Sequence, residues 1–121
     1  MTVTTPTSGA EAFARARLAA FQSADVAALL GQYRDDAVVI TPQGTLRGAA
    51  QIRPMIEGII AEFAQKGVTF DLLSQACEGP IATFVWRAET GRNRYDLGSE
   101  TYVLAGDRIA FQTFAAKVTA K

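Results

Sequence analysis

The sequence predicts one α+β domain, and three observations carry that prediction. Apolar residues recur at helical spacing through the first half, strand patterning fills the second half, and the separators between strands are short enough for antiparallel hairpins. A length of 121 residues fits one domain of roughly 100 to 150 residues and leaves no room for a second core. Residues 1–8 read as a frayed tail and residues 9–121 as the domain.

Ser8-Gly9-Ala10-Glu11 matches a capping box, in which hydroxyl and carboxylate satisfy opposite backbone donors at a helix start. A helix is expected over residues 9–23. On a wheel of about 100° per residue, Ala10, Phe13, Ala14, Leu18 and Phe21 share one arc, Arg17 falls inside it, and Glu11, Arg15 and Gln22 lie opposite. Asp25 can cap a short second helix carrying Val26, Leu29, Leu30 and Tyr33, which the Asp35-Asp36 pair ends. The period then changes to that of a strand at residues 37–41, a Pro42-Gln43-Gly44 turn follows, and residues 45–47 are extended. Gly48 opens a third helix whose Ile52, Met55, Ile56, Ile59, Ile60 and Phe63 form one stripe. Pro54 within it predicts a kink or a later start, and Gly67 a stop. Strands are expected over residues 68–76, 81–89, 94–104 and 108–118.

Composition narrows the function. Twelve basic residues balance twelve acidic ones, and the arginines are scattered, so no basic stripe invites nucleic acid. Apolar stretches break well before the roughly 20 residues of a membrane span, and the N-terminus lacks the apolar core of a signal peptide, so a cytoplasmic protein is expected. The single Cys77 excludes an internal disulfide and reads as an inert core or edge residue. With no histidine, neither a Ser-His-Asp triad nor a histidine metal site can be built; no metal and no cofactor is expected. Any catalysis must use carboxylates, arginines, tyrosines, hydroxyls or amides.

The order of an amphipathic helix ending in "SAD", the block "LLGQYRDDAVVITPQGTLRGAAQIR", a long helix and the closing "SETYVLAGDRIAFQTF" resembles the nuclear transport factor 2-like superfamily. Within it, the SnoaL-like polyketide cyclases and ketosteroid isomerases are most similar. The resemblance implies a cone-shaped barrel, with three N-terminal helices packed in a strongly curved, mostly antiparallel sheet and an apolar pocket at the open end. It also implies a homodimer through the outer sheet face. It does not imply one activity, since the fold hosts isomerases, dehydratases, epoxide hydrolases, cyclases and non-catalytic proteins.

Position by position, the isomerases' general-base aspartate falls on Thr41, whose hydroxyl is no proton acceptor of comparable strength. Their oxyanion-hole tyrosine and protonated aspartic acid fall on Arg17 and Glu100. The last-strand aspartate of the cyclases and epoxide hydrolases has no counterpart, because residues 108–121 hold no carboxylate. Arg17 and Glu100 are therefore the candidate catalytic pair, either a charged group presented to a ligand or a structural salt bridge. The candidate ligand contacts are Phe13, Tyr33, Thr41, Met55, Ile59, Phe63, Trp86, Arg87, Tyr102, Gln112 and Phe114. On strand 81–89 hydrophobicity turns Ala82, Phe84 and Trp86 inward, whereas the isomerase register turns Thr83, Val85 and Arg87 inward. The expected partner is a small apolar molecule. The functional reading is a ligand-binding domain, with a cofactor-free isomerase, dehydratase or cyclase as the alternative. An open cavity of roughly 300 Å³ or more reached by Glu100 would favour ligand chemistry, and one filled by Phe13, Phe63 and Trp86 would not.

Overall fold

The computed structural model describes residues 9–121, so the Ser8 capping box and the 1–8 tail lie outside the described residues. Helices α1 (Gly9–Gln22) and α2 (Val26–Gly31) come first, followed by the hairpin β1 (Tyr33–Thr41) and β2 (Gly44–Arg47). Helix α3 (Ala49–Phe63) then leads into β3 (Thr69–Glu78), β4 (Ile81–Glu89), β5 (Asn93–Ala105) and β6 (Arg108–Ala120). The six strands form one mixed sheet in the order β2-β1-β6-β5-β4-β3. Neighbours from β3 to β6 are antiparallel, as the short turns require, while β1 runs parallel to β6.

Of the α1 arc, Ala10, Phe13, Ala14 and Arg17 are buried and Leu18 and Phe21 half-buried, while Ala20, outside the arc, is buried as well. Burying a phenylalanine such as Phe13 is worth about 1.5–3 kcal/mol, which fixes the face of the helix that meets the sheet. Asp25 caps α2 by accepting from the Ala28 N–H at 3.0 Å. The expectation that Tyr33 ends α2 and that Asp35-Asp36 stops it is corrected. The helix ends at Gly31, and parallel pairing of Tyr33 with Ile109 draws the next residues into β1, with Asp35 and Asp36 exposed along it.

Helix α3 starts at Ala49 rather than near Pro54, and stops at Phe63, before Gly67. Pro54 removes the N–H that would bond the Ala50 carbonyl, but both residues are exposed, so water can satisfy that oxygen. Of the apolar stripe, Ile52 and Ile56 are fully buried while Met55, Ile59, Ile60 and Phe63 are half-buried. That division separates core from cavity, as described below.

On β4, Ala82, Phe84, Trp86 and Ala88 are buried and Arg87 is exposed, pairing with Asp71 at 3.1 Å. Hydrophobicity therefore decides this strand, and the register that would turn Thr83, Val85 and Arg87 inward is overturned. The opposite sheet face is uncharged along its centre. Register places Val38, Phe111, Val103 and Ile81 in one row and Ile40, Thr113, Thr101 and Thr83 in the next. Ile40 and Phe111 there are 51% and 55% exposed. Among the described residues, no helix is long and apolar enough to cross a membrane.

Candidate functional site

The half-buried residues of α3 face a cavity of about 1060 Å³ between that helix, the end of α1 and the inner face of the sheet. Its walls include Phe21 from α1, Met55, Ile59 and Phe63 from α3, and Phe70, Phe84, Trp86, Tyr95 and Phe114 from the strands. The volume exceeds the roughly 300 Å³ of a small-molecule site, and Glu100 of β5 lies in the wall. Trp86 is central to the aromatic lining: its ring centroid lies 5.6 Å from those of Phe70 and Tyr95, 6.1 Å from Phe63 and 6.2 Å from Phe114.

Behind the Glu100 wall lies a closed hydrogen-bonded ring that starts at a buried guanidinium. Arg17 is fully buried, and it donates from Nε to the Tyr102 hydroxyl (3.2 Å) and from Nη2 to the Tyr33 hydroxyl (2.6 Å). Its Nη1 donates to Gln32 Oε1 (2.9 Å) and to the Leu29 carbonyl (3.3 Å). Each tyrosine passes the interaction onward. Tyr102 donates to Glu100 Oε1; Tyr33 donates to Gln112 Oε1 (2.5 Å), and Gln112 Nε2 donates to the same Glu100 oxygen (3.3 Å). Trp86 Nε1 donates to the other oxygen, Oε2, at 2.9 Å. Around the ring, every bond is thus directed from the guanidinium, which can only donate, toward the carboxylate, which when ionised can only accept. The sequence brings these residues together because Tyr102 and Gln112 are cross-strand partners and Glu100 lies two positions from Tyr102 on β5.

Burial pulls the Arg17 pKa down, but Tyr102, Tyr33 and Glu100 more than reverse this, so the guanidinium sits above its ordinary value and stays charged. Its plane is further enclosed by the rings of Phe21, Tyr33 and Tyr102, each within 5.1 Å. Burial raises the Tyr102 and Tyr33 hydroxyls, Tyr102 well above the usual phenol range. Burial first, and then the hydrogen bond to Glu62, push Tyr95 up to about 12.

These are all three tyrosines of the chain, which gives a sharp alkaline prediction. Unfolded tyrosine titrates near pH 10, so between about pH 10 and 12 the native state holds protons that the unfolded state has lost. Stability is therefore fully present below about pH 10 and falls as pH rises through that window. Native protein should show little tyrosinate absorbance near pH 10, where the denatured chain is half converted. Equal native and denatured titration curves would refute the burial of these hydroxyls.

The model of the family described as SnoaL-like domain matches residues 14–115, most of the chain. The chain belongs to that family. No functionally curated relative matches the sequence of this SnoaL-like domain. Solved structures match its fold at low identity. A Kribbella flavida protein provisionally named a ketosteroid isomerase is 13% identical with a TM-score of 0.74, over 93% of this chain and 81% of its own. An NTF2-like protein of unknown function from Cytophaga hutchinsonii is 11% identical with a TM-score of 0.72, over 95% of each chain. A Sinorhizobium meliloti protein provisionally named a polyketide cyclase is 17% identical with a TM-score of 0.67, over 85% and 93%. At these identities the likeness is one of fold.

In the SnoaL-like domain the candidate residues divide by depth. Glu100, Thr41, Met55, Ile59, Phe63, Trp86 and Phe114 line the cavity. Arg17, Tyr33, Tyr102 and Gln112 are outside its lining and form the buried ring behind it, and Phe13 packs edge-on against Tyr102 with centroids 5.0 Å apart. Arg87 is on the opposite face. The expected direct contact of Arg17 with Glu100 is replaced by the Tyr102 bridge, in which the hydroxyl accepts from the guanidinium and donates to the carboxylate. Thr41 lines the cavity, but its hydroxyl is engaged by the turn, donating to the Gly44 carbonyl (3.0 Å) and accepting from the Gln43 N–H (3.2 Å).

Glu62 is the residue that sequence reasoning missed. It lies in the cavity wall and accepts from the Thr90 hydroxyl (2.7 Å), Asn93 Nδ2 (2.9 Å) and the Tyr95 hydroxyl (2.8 Å), tying α3 to the β4–β5 turn. Burial raises its pKa, but Asn93, Thr90, Tyr95 and the charge of Arg92 together hold it below the usual carboxylate value. In sequence it is one more acidic residue on a helix flank.

Proposed function

We propose that this SnoaL-like domain binds a small, largely apolar molecule in the cavity, oriented by Glu100. One observation carries the reading. Of the five linked residues Arg17, Tyr33, Tyr102, Gln112 and Glu100, Glu100 alone reaches the cavity lining, so the buried ring acts as a rigid mount that holds one carboxylate in place. In this reading the sheet curls around the helices as a cone whose open end is the cavity mouth.

The charge-free rows on the other sheet face suit a second copy of the chain, since Ile40, Phe111 and Val103 offer apolar contact with no charge to desolvate. Native mass spectrometry of freshly purified protein tests both parts together. The expected result is twice the chain mass with a co-purifying small molecule, or an empty dimer whose Trp86 fluorescence responds to added apolar probes. A monomer at micromolar concentration removes the interface, and no response to any probe removes the ligand site.

A second reading is a cofactor-free isomerase, dehydratase or cyclase in which Glu100 moves a proton. It is favoured by the Tyr102 hydroxyl bonded to Glu100 and by Arg17 behind it, which hold the carboxylate at a fixed place in the cavity wall. Glu100→Gln keeps an acceptor in place but ends proton transfer. Turnover on any substrate found should fall by at least about a hundredfold while binding persists; unchanged turnover would exclude Glu100 as the base.

A further inference from the structure

We infer that the cavity selects an apolar molecule bearing a protonated amine over neutral and anionic molecules of the same shape. This rests on the cavity being a ligand site, as proposed above. Among the described residues that line it, the charged side chains are Glu62 and Glu100, both acidic. The cations that act on those carboxylates are outside the lining: Arg17 is fully buried and reaches Glu100 through Tyr102, and the charge of Arg92 acts on Glu62. A ligand therefore meets the negative end of each pair.

The hydrogen-bond inventory points the same way. Glu100 Oε1 takes two donors, from Tyr102 and Gln112, and Oε2 takes one, from Trp86. A carboxylate offers about four acceptor sites, which leaves one on Oε2, and Glu100 itself has no donor for an incoming anion. Beside that oxygen stands the Trp86 ring with Phe63, Phe70, Tyr95 and Phe114 around it, the kind of aromatic enclosure whose ring faces attract cations. An ammonium group can bond the free site on Oε2 while its carbon skeleton covers the rings. A carboxylate in the same place faces two like charges.

Three probes of one shape separate charge from size: adamantyl methylamine, adamantyl methanol and adamantane carboxylate, none of which absorbs where tryptophan does. Trp86 is the single tryptophan, so its emission reports occupancy directly. The expected order is amine, then alcohol, then carboxylate, with the amine bound about tenfold or more tighter than the alcohol at neutral pH. In Glu100→Gln the amine preference should fall to a few-fold, and Glu62→Gln should reduce it by a smaller factor. Alcohol or carboxylate binding as tightly as the amine in the unaltered protein overturns the selectivity and leaves the ligand site standing. Failure of all three to bind overturns the ligand site and this inference with it.

Discussion

Replacing Arg17 with Met should lower the free energy of unfolding by about 3–5 kcal/mol, the cost of taking one partner from a buried charged network. The methionine fills the volume of the arginine stem. It satisfies none of the four acceptors that the guanidinium serves, namely the Tyr102 and Tyr33 hydroxyls, Gln32 Oε1 and the Leu29 carbonyl. Arg17→Lys keeps the charge but replaces a planar fork with a point donor, so an intermediate loss is expected. The relay also predicts coupling across a pair that does not touch. Combining Arg17→Met with Glu100→Gln removes both charges, and the double variant should lose clearly less than the two single losses added. Denaturant titration of the four proteins checks this. A loss under about 1 kcal/mol for Arg17→Met, or strict additivity in the double variant, would show that no charge relay exists.

What the sequence makes legible follows from the range of each interaction. Period-2 and helical spacing are local, so β4 is found at its true bounds, and four residues of the buried face of α1 are found, Arg17 included. The parallel pairing of β1 with β6 joins residues more than seventy positions apart, and nothing local announces it. That is why Tyr33, read as the end of a helix, belongs to the first residue of a strand. The candidate site shows the same limit. Arg17 stands out because a charge on an apolar arc needs a partner, whereas Glu100 is reached only through the resemblance. The partner's route, through Tyr102 on one side and Tyr33 with Gln112 on the other, depends on cross-strand register that no periodicity contains. Arg87 is instructive in the opposite sense. There a register taken from resemblance competed with the alternation of Ala82, Phe84, Trp86 and Ala88, and burial of apolar surface won.

Gly98→Ala should destabilise the domain, although the ordinary expectation for a strand is the reverse. Alanine in place of a strand glycine gains roughly 0.5–1 kcal/mol from the smaller entropy of the unfolded chain. At Gly98 the added Cβ would lie 2.3 Å from Trp86 Cε2, 2.4 Å from Cζ2 and 2.7 Å from Cδ2, deep inside van der Waals contact. Gly98 is the cross-strand partner of Trp86, and the indole lies flat over the space that a side chain would take. The indole has nowhere inexpensive to go. It is 3% exposed, is packed by Phe63, Phe70, Tyr95 and Phe114, and is tethered through Nε1 to Glu100. Overpacking of this kind costs about 1–3 kcal/mol, and a broken Trp86–Glu100 bond adds to it, so the clash outweighs the entropy gain. The variant should unfold earlier in denaturant, show altered Trp86 emission in the folded state, and bind apolar probes more weakly. All three clashing atoms lie beyond Cγ of Trp86, where valine has no atoms. In a Trp86→Val background, Gly98→Ala should therefore cost much less, and an undiminished cost there would place the strain in the backbone instead of under the indole.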